Sequence, residues 1–219
     1  MGKGARSVRE VDLRELAKRL LALGASALAD GGGVAMSPPM AASWPGAAVA
    51  GPAYTLTCGP GDNLALHVAI TRAPAGSVLV ADASRSPHFG YWGEVLTAAA
   101  QAQGIVGLVI DGGVRDIDPI TMRGFPMFSN VRAHRGATKE GKGGSVGGGV
   151  TVADAVVQPR DWIIADSDGV TVVPSAQIQQ ALATAETKAA REIELFDALD
   201  RGSTTIKLLG LDPTAIQLR

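Results

Sequence analysis

Apolar residues recur along the chain with two periods, and the changes of period divide it into helices and short strands. Val11, Leu13, Leu16, Leu20 and Leu21 mark one helical face. Ser7-Val8-Arg9-Glu10 ahead of them reads as a capping box, and Gly24 or the run Gly31-Gly32-Gly33 supplies the stop. AVAGPAYTLTC (48–58) has strand character, and Pro52 within it predicts an edge strand or a bulge. GPGDN (59–63) reads as a turn from which Asp62 can cap the apolar helix LALHVAI. SVLVAD after Ala75-Gly76 is a short strand, and GEVLTAAAQAQG (93–104) is a glycine-bounded helix whose alanines allow close packing on a sheet. IVGLVI (105–110) is apolar throughout, as expected of a strand covered on both faces. It should end near Asp111, with Gly112-Gly113 forming a turn. FPMFS predicts a further strand. After a glycine-rich loop, VTVADAVV, WIIAD and VTVVP predict more, each punctuated by Gly, Pro or Asp. A long helix is expected from near Ser175 to about Asp200, stopped by Gly202.

No internal repeat or linker-like stretch interrupts this pattern. Residues 1–219 therefore read as one α/β domain with a mixed sheet, an N-terminal helix and a long C-terminal helix. A hydrophobic content of 46% with 19% charged residues argues against disorder. Aromatic residues at 4% leave little for a single-stranded nucleic-acid stacking platform. The net charge of -1 gives no field that favours nucleic acid or an anionic membrane. No uncharged apolar run reaches 18 residues, so no membrane span is expected. The basic N-terminus is not followed by an apolar signal region, and Arg6 stands where myristoylation requires Ser or Thr. Cys58 is the only cysteine, which excludes an intrachain disulfide and fits a reducing, cytoplasmic setting. It reads as a small buried hydrophobe.

The candidate chemistry begins with Arg115-Asp116, at the end of the apolar strand. Ligands of α/β sheets favour the carboxyl ends of strands. Arginine offers a planar fork of donors for a carboxylate or enolate, and aspartate offers hard oxygen to Mg²⁺ or Mn²⁺. An exposed surface ion pair explains the same two residues equally well. Glu94, in Gly93-Glu94-Val95-Leu96, has an ordinary role complementing a helix dipole. Its functional reading is that the amides of Val95 and Leu96 bind a substrate anion while Glu94 holds metal or water.

GATKEGKGGSVGGG (136–149) nearly matches a phosphate-binding loop, but Gly143 replaces the magnesium-binding hydroxyl and a strand follows in place of a helix. A flexible lid or a subunit-contact loop is the better reading. His67, His88 and His134 lack ligand spacing. His67 reads as packed or surface, His88 as a possible neighbour of Glu94, and none is assigned catalysis. Asp166 and Asp168 in ADSDGV suggest a tight hairpin more than a metal site.

PGDN (60–63), WGEVL (92–96), GLVIDGGVRD (107–116) and ADSDGVTVVP (165–174), in that order, resemble the RraA-like family over roughly residues 45–200. The family includes divalent-metal-dependent 4-hydroxy-4-methyl-2-oxoglutarate and 4-carboxy-4-hydroxy-2-oxoadipate aldolases. The resemblance implies an α/β/β sandwich related to the swivelling phosphohistidine domain, assembled as a homotrimer or homohexamer with sites between subunits. It implies Asp116 as metal ligand, Arg115 on the pyruvate enolate and Glu94 on metal-bound water. Gly93, Val95 and Leu96 would bind the pyruvate carboxylate, Asn63 would face the same region, and a neighbour's Glu192 or Glu194 would complete the site. Mg²⁺ or Mn²⁺ is the implied cofactor and a small 2-oxo acid the implied substrate, with oxaloacetate decarboxylation as a side activity. The alternative is a non-catalytic protein-binding regulator of RNA degradation, as in the RNase E-inhibiting members.

The chain departs from the family pattern in three places. Glu94 stands where Asp is usual, GSVGGGVTV lacks the usual proline, and the tail after Gly202 does not match that of the dedicated aldolases.

Overall fold

The computed structural model describes residues 8–84 and 86–217, with side chains from residue 13 onward, so the Ser7 capping box lies outside the described residues. In chain order the elements are α1 (Val8–Leu23), α2 (Ala25–Asp30), β1 (Val34–Ala35), β2 (Ala41–Ala42), β3 (Val49–Cys58), α3 (Leu64–Arg72), β4 (Val78–Asp82), β5 (Gly90–Trp92), α4 (Glu94–Ala102), β6 (Gly107–Val114), α5 (Ile117–Met122), β7 (Met127–Arg132), β8 (Gly144–Val146), β9 (Val150–Val152), β10 (Ala155–Val157), β11 (Trp162–Asp166), β12 (Gly169–Val173), α6 (Ile178–Asp200) and α7 (Thr205–Leu209), then a 3₁₀ turn, Pro213–Ala215. Both predicted stops act. Gly24, with φ 85°, separates α1 from α2, and Gly31 ends α2.

Ten strands form one curled sheet in the order β1-β12-β11-β3-β4-β6-β7-β2, with β5 added beside β6 and β8 beside β3, and β9 and β10 pair as a separate antiparallel hairpin. The β3-β4-β6-β7 pairings are parallel. The β1-β12-β11-β3 pairings are antiparallel. The expected mixed α/β architecture is therefore present.

Strand alternation sorts side chains into layers. Val78, Val80 and Val109 point into the core enclosed by the curl, with Phe128, Ile163 and Val172. Their neighbours Leu79, Leu108 and Ile110 point outward under α3, α4 and α5. On the antiparallel half, Trp162, Ile164 and Val173 are covered by α1, α2 and α6 through Leu20, Leu28 and Leu182. Full burial of each such aliphatic side chain contributes about 1.5–3 kcal/mol. That explains why the parallel strands read as unbroken apolar runs.

Two expectations need correction. Pro52 lies neither on an edge nor at a bulge, because β3 is an interior strand. Ala53 N donates to Asp161 O, so alternation turns the Pro52 nitrogen to the opposite side. There β4 pairs only from Ala53 onward, and no ladder bond is lost.

Gly112-Gly113 do not form a turn. The strand β6 runs through them to Val114, and Gly113 pairs with both Gly90 and Val131. The glycine serves close approach, since a Cβ on Gly113 would collide with the carbonyls of Phe89 and Pro87. The ladder with β7 shifts register between Ile110 and Gly113, which re-aims the strand end where Arg115 follows.

Candidate active site

Arg115 and Asp116 emerge from the carboxyl end of β6, beside the end of β5 and the start of α4. Arg115 N donates to Trp92 O at 3.0 Å, fixing the two strand ends together. The guanidinium lies in a trough floored by glycine. A Cβ on Gly90 would meet Arg115 Cδ at 3.1 Å, one on Gly93 would meet Nε at 3.3 Å, and one on Gly136 would meet Nη1 at 3.1 Å. Asp116 adopts a left-handed conformation, φ 58° and ψ 43°, which aspartate tolerates better than most residues. Its Oδ2 accepts from Glu94 N at 3.0 Å and stands 3.8 Å from Arg115 Nε. The two side chains remain 44% and 40% exposed, within reach of a ligand.

α4 begins without a side-chain cap because its N-cap is Gly93. The amides of Val95 and Leu96 are first-turn donors of the kind a helix leaves unused. Both residues line a cleft of about 160 Å³ together with Asn63, His67, Gly93, Arg115, Asp116 and Lys139. Asn63 is only 6% exposed. Its Nδ2 donates to Tyr91 O at 2.8 Å, while its Oδ1 is buried without a partner. An unpaired buried polar atom costs about 1–3 kcal/mol.

The structure thus brings together Asn63, Gly93, Val95, Leu96, Arg115 and Asp116. Glu94 is placed differently. Its Oε1 accepts from Arg123 Nε at 3.0 Å and pairs with Nη2 at 2.9 Å, and Glu94 does not line the cleft. Glu192 lies on α6, 3.6 Å from Lys188, outside the cleft of its own chain. His88 is exposed and away from the cleft, contrary to its possible place beside Glu94.

The cleft also holds His67, which the sequence reads as packed or surface, and Lys139, one of the basic residues of the 132–142 loop that could meet an anionic substrate. His67 follows Asn63 by four residues on α3, so both fall on one face, and that spacing was the available signal. Its Nε2 is buried without a partner. Burial holds the imidazole below its ordinary value, aided by the nearby charge of Lys139 and opposed by Asp62.

The glycine-rich loop is tied down where a flexible lid was expected. The side chain of Asp62 is fully buried. Its Oδ2 accepts from Glu140 N at 2.5 Å, Gly141 N at 3.0 Å and Thr138 Oγ1 at 3.2 Å, and its Oδ1 accepts from Leu64 N at 2.9 Å. Burial pushes this carboxyl up, but the four donors outweigh it and hold it below the usual range. Asp62 thus supports α3 as foreseen, from one residue before the N-cap.

Of the loop's basic residues, only Lys139 enters the cleft. Arg132 donates to Ser43 O, Arg135 stacks 4.6 Å from the Phe89 ring centre, and Lys142 pairs with Glu140.

Outside the cleft, Asn130 Oδ1 is also buried without a partner, while its Nδ2 donates to Asp111 Oδ1. A hollow of about 350 Å³ beside α2 contains Ser26, Asp168 and Thr171. Ser26 Oγ donates to Asp168 and Thr171 Oγ1 to Ala25 O. Cys58 is buried as expected, and burial, reinforced by Asp82 and Asp62, pushes its thiol up to about 12. No helix among the described residues is long and apolar enough to cross a membrane.

Comparison with known proteins gives the family and the fold. Residues 25–172 match the family described as "RraA-like: Aldolase/RraA". A Halalkalibacterium halodurans protein named "Putative 4-hydroxy-4-methyl-2-oxoglutarate aldolase" is 34% identical over 142 residues, covering 65% of this chain and 67% of that one. A solved structure of an uncharacterized protein from Pseudomonas syringae pv. tomato superposes with a TM-score of 0.75 at 27% identity, covering 87% of this chain and 94% of that one. The RNA-processing inhibitor RraA of Thermus thermophilis shares the fold, with a TM-score of 0.60 at 24% identity over 78% of this chain and 93% of that one. A strand end that presents Arg115-Asp116 to the uncapped start of α4, within a family match spanning most of the chain, makes this protein a member of the RraA-like family.

Proposed function

We propose that the protein is a divalent-metal-dependent lyase that cleaves a 4-hydroxy-2-oxo acid to pyruvate by retro-aldol chemistry, and that it decarboxylates oxaloacetate at the same site. The observation that supports this most is the Arg115 guanidinium, held in its glycine trough beside the free first-turn amides of α4. The amides of Val95 and Leu96 suit the substrate carboxylate. Arg115 then faces the 2-oxo oxygen, where negative charge develops as the C3–C4 bond breaks. A donor already in place for that charge is worth ~100- to 1,000-fold in rate.

Asp116 would hold Mg²⁺ or Mn²⁺. With Oδ2 accepting the Glu94 amide, Oδ1 is the oxygen left to offer. No cluster of three or more His, Cys, Asp or Glu exists among the described residues. The donor set therefore suits an ion that takes one or two carboxylates and keeps its waters and substrate oxygens. When bound, the ion supplies Lewis-acid polarisation of the 2-oxo group. Glu94 reaches such an ion or its water only by leaving Arg123. A homotrimer or homohexamer would add Glu192 from a neighbouring subunit.

The test is pyruvate release from 4-hydroxy-4-methyl-2-oxoglutarate and from oxaloacetate with Mg²⁺, Mn²⁺ or EDTA, for the wild type and Asp116→Ala. Metal-dependent release that is lost in the variant is the expected result. No release of pyruvate by folded, metal-supplied wild type overturns the proposal and favours a protein-binding role.

A further inference from the structure

The cleft is lined by both donors and acceptors. The donors include the amides of Val95 and Leu96 and the guanidinium of Arg115. Asn63, the N-cap of α3, and His67, one turn further on, line the same cleft, and their Oδ1 and Nε2 are both buried and without a partner. The Asn63 amide cannot be turned around to remove its orphan, because Nδ2 is committed to Tyr91 O. A buried oxygen of this kind only accepts, so the missing partner is a donor.

A 4-hydroxy-2-oxo acid has the matching polarity. Its carboxylate and 2-oxo oxygens accept, which suits Arg115 and the two amides. The donor next to the scissile bond is the C4 hydroxyl.

Resting on the lyase reading, we infer that His67 is the catalytic base for the C4 hydroxyl. The C4 O–H bond breaks and its proton passes to His67 Nε2. The C4=O bond forms as C3–C4 breaks, and the electron pair moves through C3 to the 2-oxo oxygen facing Arg115. C3 of the enolate takes a proton from solvent and His67 gives its own up to solvent, which yields pyruvate and a second carbonyl compound with no net proton change.

Both orphan atoms lie just beneath the cleft surface, so the imidazole must turn outward to meet the hydroxyl. Nε2 breaks no hydrogen bond in doing so. The groups around the ring favour an uncharged imidazole near neutral pH. Burial and Lys139 act in that direction, and Asp62 acts against it. Arg115 and Asp116 line the same cleft with opposite charges.

Oxaloacetate separates this role from a merely structural one. It loses CO₂ from C4 to give the same enolate, with no hydroxyl to deprotonate. The experiment compares wild type, His67→Gln and His67→Ala, each with Mg²⁺, on 4-hydroxy-4-methyl-2-oxoglutarate and on oxaloacetate. General-base loss predicts a fall in kcat of ~100-fold or more for the aldol substrate, with KM and oxaloacetate turnover little changed. The acid limb of the wild-type kcat profile, below the ordinary imidazole value, should vanish in His67→Gln.

An equal loss on both substrates, or full aldol cleavage by both variants, overturns the role of His67 while leaving the lyase reading intact. A wild type that turns over neither substrate removes the lyase reading and the base together.

Discussion

Two acidic turns sit at strand ends in this molecule, and they do opposite work. At the β11–β12 hairpin, Asp166 accepts from Ala25 N at 2.7 Å and Asp168 N at 2.9 Å, and Asp168 accepts from Ser26 Oγ at 2.8 Å. Those bonds dock α2 onto the hairpin and leave the carboxylates engaged by the protein. At the end of β6, Asp116 accepts a single amide, and its surroundings include two buried atoms with no partner at all. The sequence patterns ADSDG and DGGVRD look equally suggestive. Saturation of the polar groups, more than the presence of carboxylates, separates a structural turn from a binding one.

The contrast is broken or sharpened by substitutions on each side. The largest effect is expected for Arg115→Ala, where pyruvate release should fall ~100- to 1,000-fold while the thermal unfolding midpoint barely moves. A comparable fall in Asp166→Ala would erase the distinction. Next comes Asp62→Ala, which strands the amides of Glu140 and Gly141 and should cost about 1–3 kcal/mol in denaturant unfolding.

The pH sign for Asp62 follows from its lowered folded-state value. Its contribution is fully present above the ordinary aspartate value of about 3.9 and fades as pH falls through the lower folded-state value. The wild type should therefore lose stability in that acid window, and Asp62→Asn should lose less there.

Asp166→Ala should cost about 1 kcal/mol, as removal of a helix-capping acceptor does, with pyruvate release unchanged. The smallest structural effect belongs to Glu94→Gln. Its pair with Arg123 is partly exposed and worth about 0–1 kcal/mol. A large loss of metal-dependent turnover in that variant would show that Glu94 leaves Arg123 to serve the site, and normal turnover would confine it to the ion pair.

Much of the fold was legible because burial on two faces forces the first four residues of β4 and of β6 to be apolar, and because Gly24, Gly104 and Gly202 stop helices locally. Pro52 and Gly113 were misjudged because their meaning depends on distant chain. The partner at Pro52 begins one residue later than local rules assume, and Gly113 makes room for carbonyls of residues 87 and 89. In the cleft, Gly93, Val95, Leu96, Arg115 and Asp116 could be grouped from the sequence because they occupy two compact motifs. His67 was read as packed or surface and Lys139 only as one of several basic loop residues, because the place of one depends on a helical face and that of the other on a loop anchored by Asp62, 77 positions away in sequence.

That anchor has a kinetic consequence. Thr138, Glu140 and Gly141 share one acceptor oxygen, so loss of that oxygen weakens all three contacts at once. In Asp62→Ala the amide protons of Glu140 and Gly141 should both exchange with solvent faster than in the wild type. The other oxygen of the same carboxylate steadies the start of α3 at Leu64, so one buried side chain links the loop that carries Lys139 to the helix that carries His67.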